Sequence, residues 1–165
     1  MESKNLILRV WKESDSNALY ELCQDVEMKK NGILYFDSKE ECLDLIRAWA
    51  KESGFRAIIS KESNELVGFI SLGDMNRYEG YYELEYGIGV KFRKKGYATQ
   101  AVKCMLEYGF GELNAFAIAA WVRSHNESSI HVLEKSSFTL EGRLRKHARD
   151  KSDTLCYSIL KEEWR

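Results

Sequence analysis

Residues with the makings of chemistry concentrate between Glu83 and Gln100. Glu83 and Glu85 are carboxylates at alternate positions of an otherwise apolar run, a residue type that can exchange protons. Gly87 and Gly89 follow, and glycine inside a strand marks a bulge or a close approach by another segment or a ligand. Arg93-Lys94-Lys95-Gly96-Tyr97-Ala98 then joins a strand ending near Val90 to a helix beginning near Tyr97. A helix start presents N–H groups without helical partners, and the helix dipole favours negative charge there. Gly96 and the small Ala98 let a phosphate come close to the backbone, while Arg93, Lys94 and Lys95 add positive charge at the rim. A pyrophosphate suits such a loop. The loop is not GxxxxGK[ST], and it is not a dinucleotide fingerprint, because Phe92 stands where a third glycine is needed. Taken alone it is also simply a basic strand-to-helix turn, and the two glutamates are also simply a solvated strand face.

A second element narrows the choice. Asn126 to Lys135 follows an apolar strand, Asn126 is a helix-capping type, and Ser129 stands three residues on. Ile130 and Leu133 form the packing stripe of this short helix.

The elements that position these residues are legible as periodicity. Leu6 to Val10 reads as a strand, and Asp15 to Cys23 as a helix with Ala18, Leu19, Leu22 and Cys23 on one face. Ser38 and Glu41 form an S-x-x-E capping box ahead of Cys42, Leu45, Ile46 and Trp49. Phe55 to Ser60 and Leu66 to Leu72 read as a hairpin, Asn76 to Gly80 as a turn, and Tyr82 to Val90 as a third strand. Thr99 to Phe110 is an amphipathic helix burying Val102, Met105, Leu106 and Phe110. Ala115 to Arg123 is apolar on both faces and reads as a central strand. Phe138 to Arg149 and Thr154 to Leu160 make a last hairpin around Lys151-Ser152-Asp153. The order βαα-βββ-α-β-α-ββ gives a mixed sheet with helices packed on it, in an α/β (α+β) class.

Composition limits the alternatives. A chain of 165 residues suits one domain (1–165), with 44% hydrophobic and 31% charged residues typical of a globular protein. The 25 basic and 26 acidic residues leave a net charge of −1, so a general polyanion-binding surface is not implied. No apolar run approaches the ~20 residues that span a bilayer, and Glu2, Lys4 and Arg9 break up any leader-like stretch. Cys23, Cys42, Cys104 and Cys156 are scattered without a CxxC pair, which reads as free thiols in a reducing cytoplasm. His125 and His131 are off the i, i+4 ligand spacing, and no metal is expected. The basic run Arg143 to Arg149 reads as a solvated face, and no direct nucleic-acid binding or membrane contact is expected.

R-x-x-G-x-A at 93–98, N-x-x-S at 126–129 and Val132-Leu133-Glu134-Lys135 occur in this order, with Leu6-Ile7-Leu8-Arg9 near one end and Tyr157 to Leu160, Glu163 and Trp164 near the other. This set resembles the GCN5-related N-acetyltransferase (GNAT) superfamily, and within it the branch that acetylates N-terminal amines of ribosomal proteins. The resemblance implies a twisted, mostly antiparallel sheet of six to seven strands with about four helices, and splayed fourth and fifth strands. It implies acetyl-CoA as cosubstrate. Main-chain groups at Ile88 and Val90 would meet the pantetheine arm. The amides of Arg93, Lys94, Lys95, Gly96, Tyr97 and Ala98 would hold the pyrophosphate, with Thr99 close by. Asn126 would contact pantetheine, and Lys135 would reach a CoA phosphate. The implied reaction is direct acyl transfer: an amine loses a proton to Glu83 or Glu85, attacks the thioester carbonyl, and backbone N–H near Gly87–Gly89 stabilises the oxyanion. Ser129 matches the position that serves the departing thiolate.

The implied acceptor is a primary amine, foremost a protein N-terminus, with small amines such as polyamines, aminoglycosides or amino-acid-like metabolites as the alternative. Asp74 and Glu79 could attract a cationic acceptor. A non-catalytic CoA-binding module is the rival from another class. The protein would act in the cytoplasm as a monomer or homodimer. Two departures from the family stand out: Gly87 replaces a bulky aromatic, which would widen the acceptor channel, and Ser137 replaces a glycine ahead of Phe138, where a left-handed backbone would cost energy.

Overall fold

The computed structural model describes residues 1–75 and 78–164. The turn expected at 76–80 therefore lies partly outside the described residues. Seven strands and five α-helices are present among them, and the strands hydrogen-bond in the order β1-β2-β3-β4-β5-β7-β6. They are β1 (Leu6–Arg9), β2 (Phe55–Ser60), β3 (Leu66–Asp74), β4 (Tyr81–Ile88), β5 (Ala117–Arg123), β6 (Thr139–Leu144) and β7 (Thr154–Leu160). The helices are α1 (Ser16–Cys23), α2 (Val26–Lys30), α3 (Lys39–Trp49), α4 (Tyr97–Gly111) and α5 (Glu127–Lys135). The chain forms two compact units, one of Met1–Ser71 with Tyr86–Cys104 and one of Leu72–Glu85 with Met105–Arg165.

In the first unit, β1 pairs antiparallel with β2, and β2 with β3. Leu6 and Leu8 of β1 point inward and Ile7 outward, the two-residue alternation of a half-buried strand. α1 enters through Asp15, whose carboxylate accepts from both terminal guanidinium nitrogens of Arg9 at 2.8 Å and from the Lys12 N–H at 2.9 Å. The buried face of α1 is Leu19, Leu22 and Cys23; Ala18 is exposed, one step round the helix from that stripe. Ser38 caps α3 by accepting the Glu41 N–H at 3.2 Å, and the Glu41 carboxylate reaches back to the Asp37 N–H at 3.0 Å. Cys42, Ile46 and Trp49 then face a core shared with Trp11, Phe36 and Phe69. Trp49 is its centre, with the rings of Trp11, Phe55 and Phe69 at 5.2, 5.6 and 6.1 Å. Short α2 carries no helical periodicity that the sequence could show. Asp25 caps it by accepting the Glu27 N–H at 3.0 Å, and Met28 is buried.

In the second unit, β4 and β5 are parallel, and β5–β7 and β7–β6 antiparallel. The β4–β5 ladder holds only from Tyr81↔Ala117 to Glu83↔Ala119, while β4 runs on to Ile88 and β5 to Arg123. β5 is central in the strand order, as expected, but Trp121 is 46% exposed, so one of its faces is less closed than its apolar composition implied. β6 stops at Leu144, short of Arg149, and a turn carries the basic run.

Cys23, Cys42 and Cys104 are buried, and Cys156 is half-buried. Burial pushes the Cys23 thiol up to about 12 and the Cys42 thiol to about 11, which keeps both protonated and unreactive.

α5 ends in the strained way its sequence implied. Phe138 N–H donates to the Leu133 carbonyl and Ser137 N–H to the Glu134 carbonyl, both at 3.1 Å, which is a Schellman arrangement. Ser137 sits at its left-handed position with φ of 67°. An L-residue costs about 1–2 kcal/mol there, and glycine returns part of that gain as unfolded-chain entropy. Ser137→Gly is expected to stabilise the protein by about 0.5–1 kcal/mol, read as a raised urea midpoint at unchanged m value.

Candidate active site

The first unit carries the anion cradle. β4 ends at Ile88 rather than Val90; Val90–Phe92 form a 3-10 turn closed by the Phe92 N–H on the Gly89 carbonyl at 2.8 Å, and Val90 is 62% exposed. Lys94 and Gly96 both adopt left-handed backbone, with φ of 61° and 72°. Alternating such residues with ordinary ones curls the main chain so that successive N–H groups converge on a concavity fit for an anion. Tyr97 anchors the first turn of α4 by burial, and the Gln100 N–H makes its helical bond to the Gly96 carbonyl at 3.1 Å. The amides of Tyr97, Ala98 and Thr99 thus precede the helix's own hydrogen bonds. A Cβ added at Gly96 would meet only Gln100 Nε2, at 3.9 Å, so the cradle is open at that point. Lys94 and Lys95 are exposed around it. These features fit a phosphate.

Arg93 departs from the expectation of a rim charge. Its guanidinium is paired with Asp25, and its Nε donates to the Ile88 carbonyl at 3.1 Å. Ile88, expected to meet pantetheine through its main chain, therefore already has its carbonyl engaged. The Gly89 N–H donates to the Val67 carbonyl at 3.0 Å, which removes it as an oxyanion donor. Successive N–H groups of a strand point to opposite edges, so the Ile88 N–H leaves on the edge away from β3. Gly87 does not widen a channel. A Cβ there would lie 2.6 Å from the Phe69 ring and 3.2 Å from Met28 Cε, so these side chains fill the space an aromatic would take.

The second unit carries the carboxylates. Register places Glu83, Ala119 and Ser158 in one cross-strand row, and Tyr81 beside it opposite Ala117. Ser158 Oγ donates to Glu141 at 2.5 Å, which brings a third carboxylate to the same face. Burial raises the Glu83 carboxyl above the ordinary carboxylate value, and the charge of Glu85 raises it further. Glu85 is exposed by surface area, yet surrounding protein withdraws enough water to raise its carboxyl as well. Burial, then Glu141, Cys156 and Glu83, raises the Tyr81 phenol.

Asn126 is buried and caps α5: its Oδ1 accepts the Ser129 N–H at 3.2 Å and the Ser128 hydroxyl at 2.9 Å. Ser129 is half-buried in the first turn, and Lys135 is exposed in the last. Among the described residues no group of three or more His, Cys, Asp or Glu side chains could hold a metal, and no helix is long and apolar enough to cross a membrane.

Several participants escaped the sequence. Asp25 reads as a helix cap, and nothing in its neighbourhood points to a guanidinium 68 positions away. Gln100 accepts from the Ser3 hydroxyl at 3.0 Å and the Asn5 N–H at 3.2 Å, tying the N-terminal segment to the first turn of α4. Tyr81 and Ser158 reach the face of Glu83 only through strand register, and Glu141, unpaired at an irregularity of β6, reaches it through its bond to Ser158.

Residues 5–139 match the acetyltransferase (GNAT) domain family. The chain belongs to the GNAT acetyltransferases. Among curated relatives of this acetyltransferase, the uncharacterized N-acetyltransferase p20 of Bacillus licheniformis is 30% identical over 98% of this chain and 96% of its own. The spermidine N(1)-acetyltransferase of Escherichia coli is 28% identical over 66% of this chain and 59% of its own. YdaF of Bacillus subtilis, whose name proposes a ribosomal N-acetyltransferase, is 28% identical over 98% and 94%. A GNAT-family acetyltransferase structure from Bacillus anthracis superposes with a TM-score of 0.89 at 27% identity, covering 99% of both chains. A spermidine N-acetyltransferase from Vibrio cholerae, in complex with CoA and spermine, shares the fold with a TM-score of 0.85 at 21% identity, covering 98% of both chains. The GNAT fold and an acetyl-CoA-dependent N-acetyltransferase activity follow.

A carboxyl whose folded-state pKa is raised stabilises the fold at low pH, and that contribution is lost as pH rises through the raised value. In this acetyltransferase Glu83→Gln is expected to raise the thermal midpoint by about 1–3 °C near neutral pH. The gain should shrink as pH falls toward about 4, where wild type carries the neutral acid too. Scanning calorimetry across that range checks it.

Proposed function

We propose that the chain acts as one acetyltransferase domain that moves the acetyl group of acetyl-CoA to a primary amine of a small polycation of the polyamine class. The observation that carries the acceptor class is the sheet face of the second unit, where Glu83, Glu85 and Glu141 gather. Three carboxylates exceed what the single ammonium of a peptide N-terminus needs, and they suit a ligand with several ammonium groups. The spermidine-acetylating relative supports the same class. A ribosomal-protein N-terminus is the second reading. It is favoured by the relative whose name proposes a ribosomal N-acetyltransferase and which, unlike the spermidine enzyme, matches nearly the whole chain.

Acetyl-CoA supplies the activated acyl thioester. In this reading the amides from Lys94 to Thr99 hold its pyrophosphate, with Lys94 and Lys95 as the exposed cationic side chains around them, while the Arg93 N–H is turned to the Val90 carbonyl. Val90 meets the pantetheine arm, as does Asn126, and Lys135 meets a CoA phosphate. Glu83 takes the proton of the attacking amine, helped by the raised affinity for protons that burial gives it. The Ile88 N–H donates to the developing oxyanion, a contribution of about 3 kcal/mol for such donors. Ser129 serves the departing thiolate.

Thiol release from acetyl-CoA, followed with spermidine, spermine and a panel of free-N-terminus peptides, tests the acceptor. Polyamine turnover is expected to exceed peptide turnover by about tenfold or more in kcat/KM. Turnover confined to peptides would favour the second reading, and binding without thiol release from any amine would favour a CoA-binding module. Gly96→Glu introduces a negative side chain at the cradle and a Cβ at positive φ. Calorimetric affinity for acetyl-CoA should fall by about a hundredfold or more, with thermal melting as the control for folding.

A further inference from the structure

The cradle depends on a carboxylate that belongs to neither of its flanking elements. Arg93 lies in the loop, and its guanidinium joins two other segments: the Ile88 carbonyl at the end of β4 and Asp25 at the start of α2. The Asp25 side chain is only 9% exposed and that of Arg93 33%. A carboxylate and a guanidinium so placed hold each other strongly, because removing either leaves the other poorly solvated. Asp25 is itself fixed by the Glu27 N–H, which it accepts at 3.0 Å. Met28, one turn on, is buried close to the Gly87 backbone, where an added Cβ would meet its Cε at 3.2 Å. The guanidinium thus clamped belongs to the residue directly ahead of Lys94, the non-glycine residue that must hold φ of 61°. Such a backbone persists only where its surroundings over-determine it.

We infer that Asp25 is a positioning residue for the pyrophosphate loop: by holding Arg93 against the Ile88 carbonyl it keeps the Lys94–Gly96 turns formed before the nucleotide arrives. The inference rests on the reading that these amides bind the pyrophosphate of acetyl-CoA. It assigns Arg93 to the architecture of the cradle and leaves the direct charge contacts to Lys94, Lys95 and the main chain. A loop held ready loses less entropy on binding, and the gain falls on the part of the ligand that the loop touches.

The test compares two acyl donors, acetyl-CoA and acetyl-pantetheine, which carries the thioester arm without the pyrophosphate. Asp25→Asn keeps an oxygen to cap α2 but removes the charge that holds Arg93. It is expected to lower kcat/KM for acetyl-CoA by about tenfold and to leave kcat/KM for acetyl-pantetheine within about twofold of wild type. In an Arg93→Gln background the Asp25 substitution should cost nothing further with acetyl-CoA, since the two residues act as one unit. Equal losses with both donors, additive losses in the double variant, or an unchanged rate with acetyl-CoA would overturn the inference. Wild type using both donors equally well would instead overturn the placement of the pyrophosphate itself. If Asp25→Asn fails to fold, Arg93→Lys, which keeps the charge but loses the paired guanidinium geometry, is compared on the same two donors under the same criteria.

Discussion

Turning an extended strand into a helix while leaving several amides unspent requires the chain to leave the usual right-handed regions of backbone space. Between Ile88 and Tyr97 it does so at Lys94 and again at Gly96. Gly96 enters such a conformation freely; Lys94 does not. The surrounding interactions make sense as what holds that unfavourable backbone: the buried Tyr97 ring, the Gln100 side chain tied to Ser3 and Asn5, and the Arg93 guanidinium pinned by Asp25 and Ile88. Positive charge at such a loop does not by itself mean a phosphate contact, because the same side chain can be occupied in building the loop.

The second unit shows a different tension. Three glutamates share one face, two as alternate residues of β4 and one through its bond to Ser158, and the two on β4 carry carboxyls raised by loss of water. A sheet face chosen for stability alone would avoid this. Sites that must trade protons or attract cations tolerate it, which is the usual exchange between stability and activity.

How much of this was readable depended on the range of the interaction. Capping at Ser38 and Asn126, the buried stripe of α4 and the left-handed need at Ser137 are local, and sequence spacing is enough to find them. Order and spacing also carried the family, because the loop at 93–98 and the cap at 126–129 are contiguous motifs. What escaped was set by distance or by register. α2 is too short to show a period. Ala18 was one step off the buried stripe. Arg93 looked like a phosphate ligand because its partner Asp25 lies far back in the chain. Gly87 looked like lost bulk because Phe69 and Met28, which fill its space, arrive from elsewhere. The end of β4 at Ile88 was overrun because Val90 is as good a strand former as any residue before it.

The burial of the cysteines has a practical consequence for anyone following CoA release with an aromatic disulfide reagent. Thiols held at about 12 and about 11 inside a packed core present almost no thiolate to such a reagent near neutral pH, and Cys104 is shielded as well. Background labelling of the native enzyme should therefore trace to Cys156 on the sheet face, and a faster, larger blank would report that the core had opened.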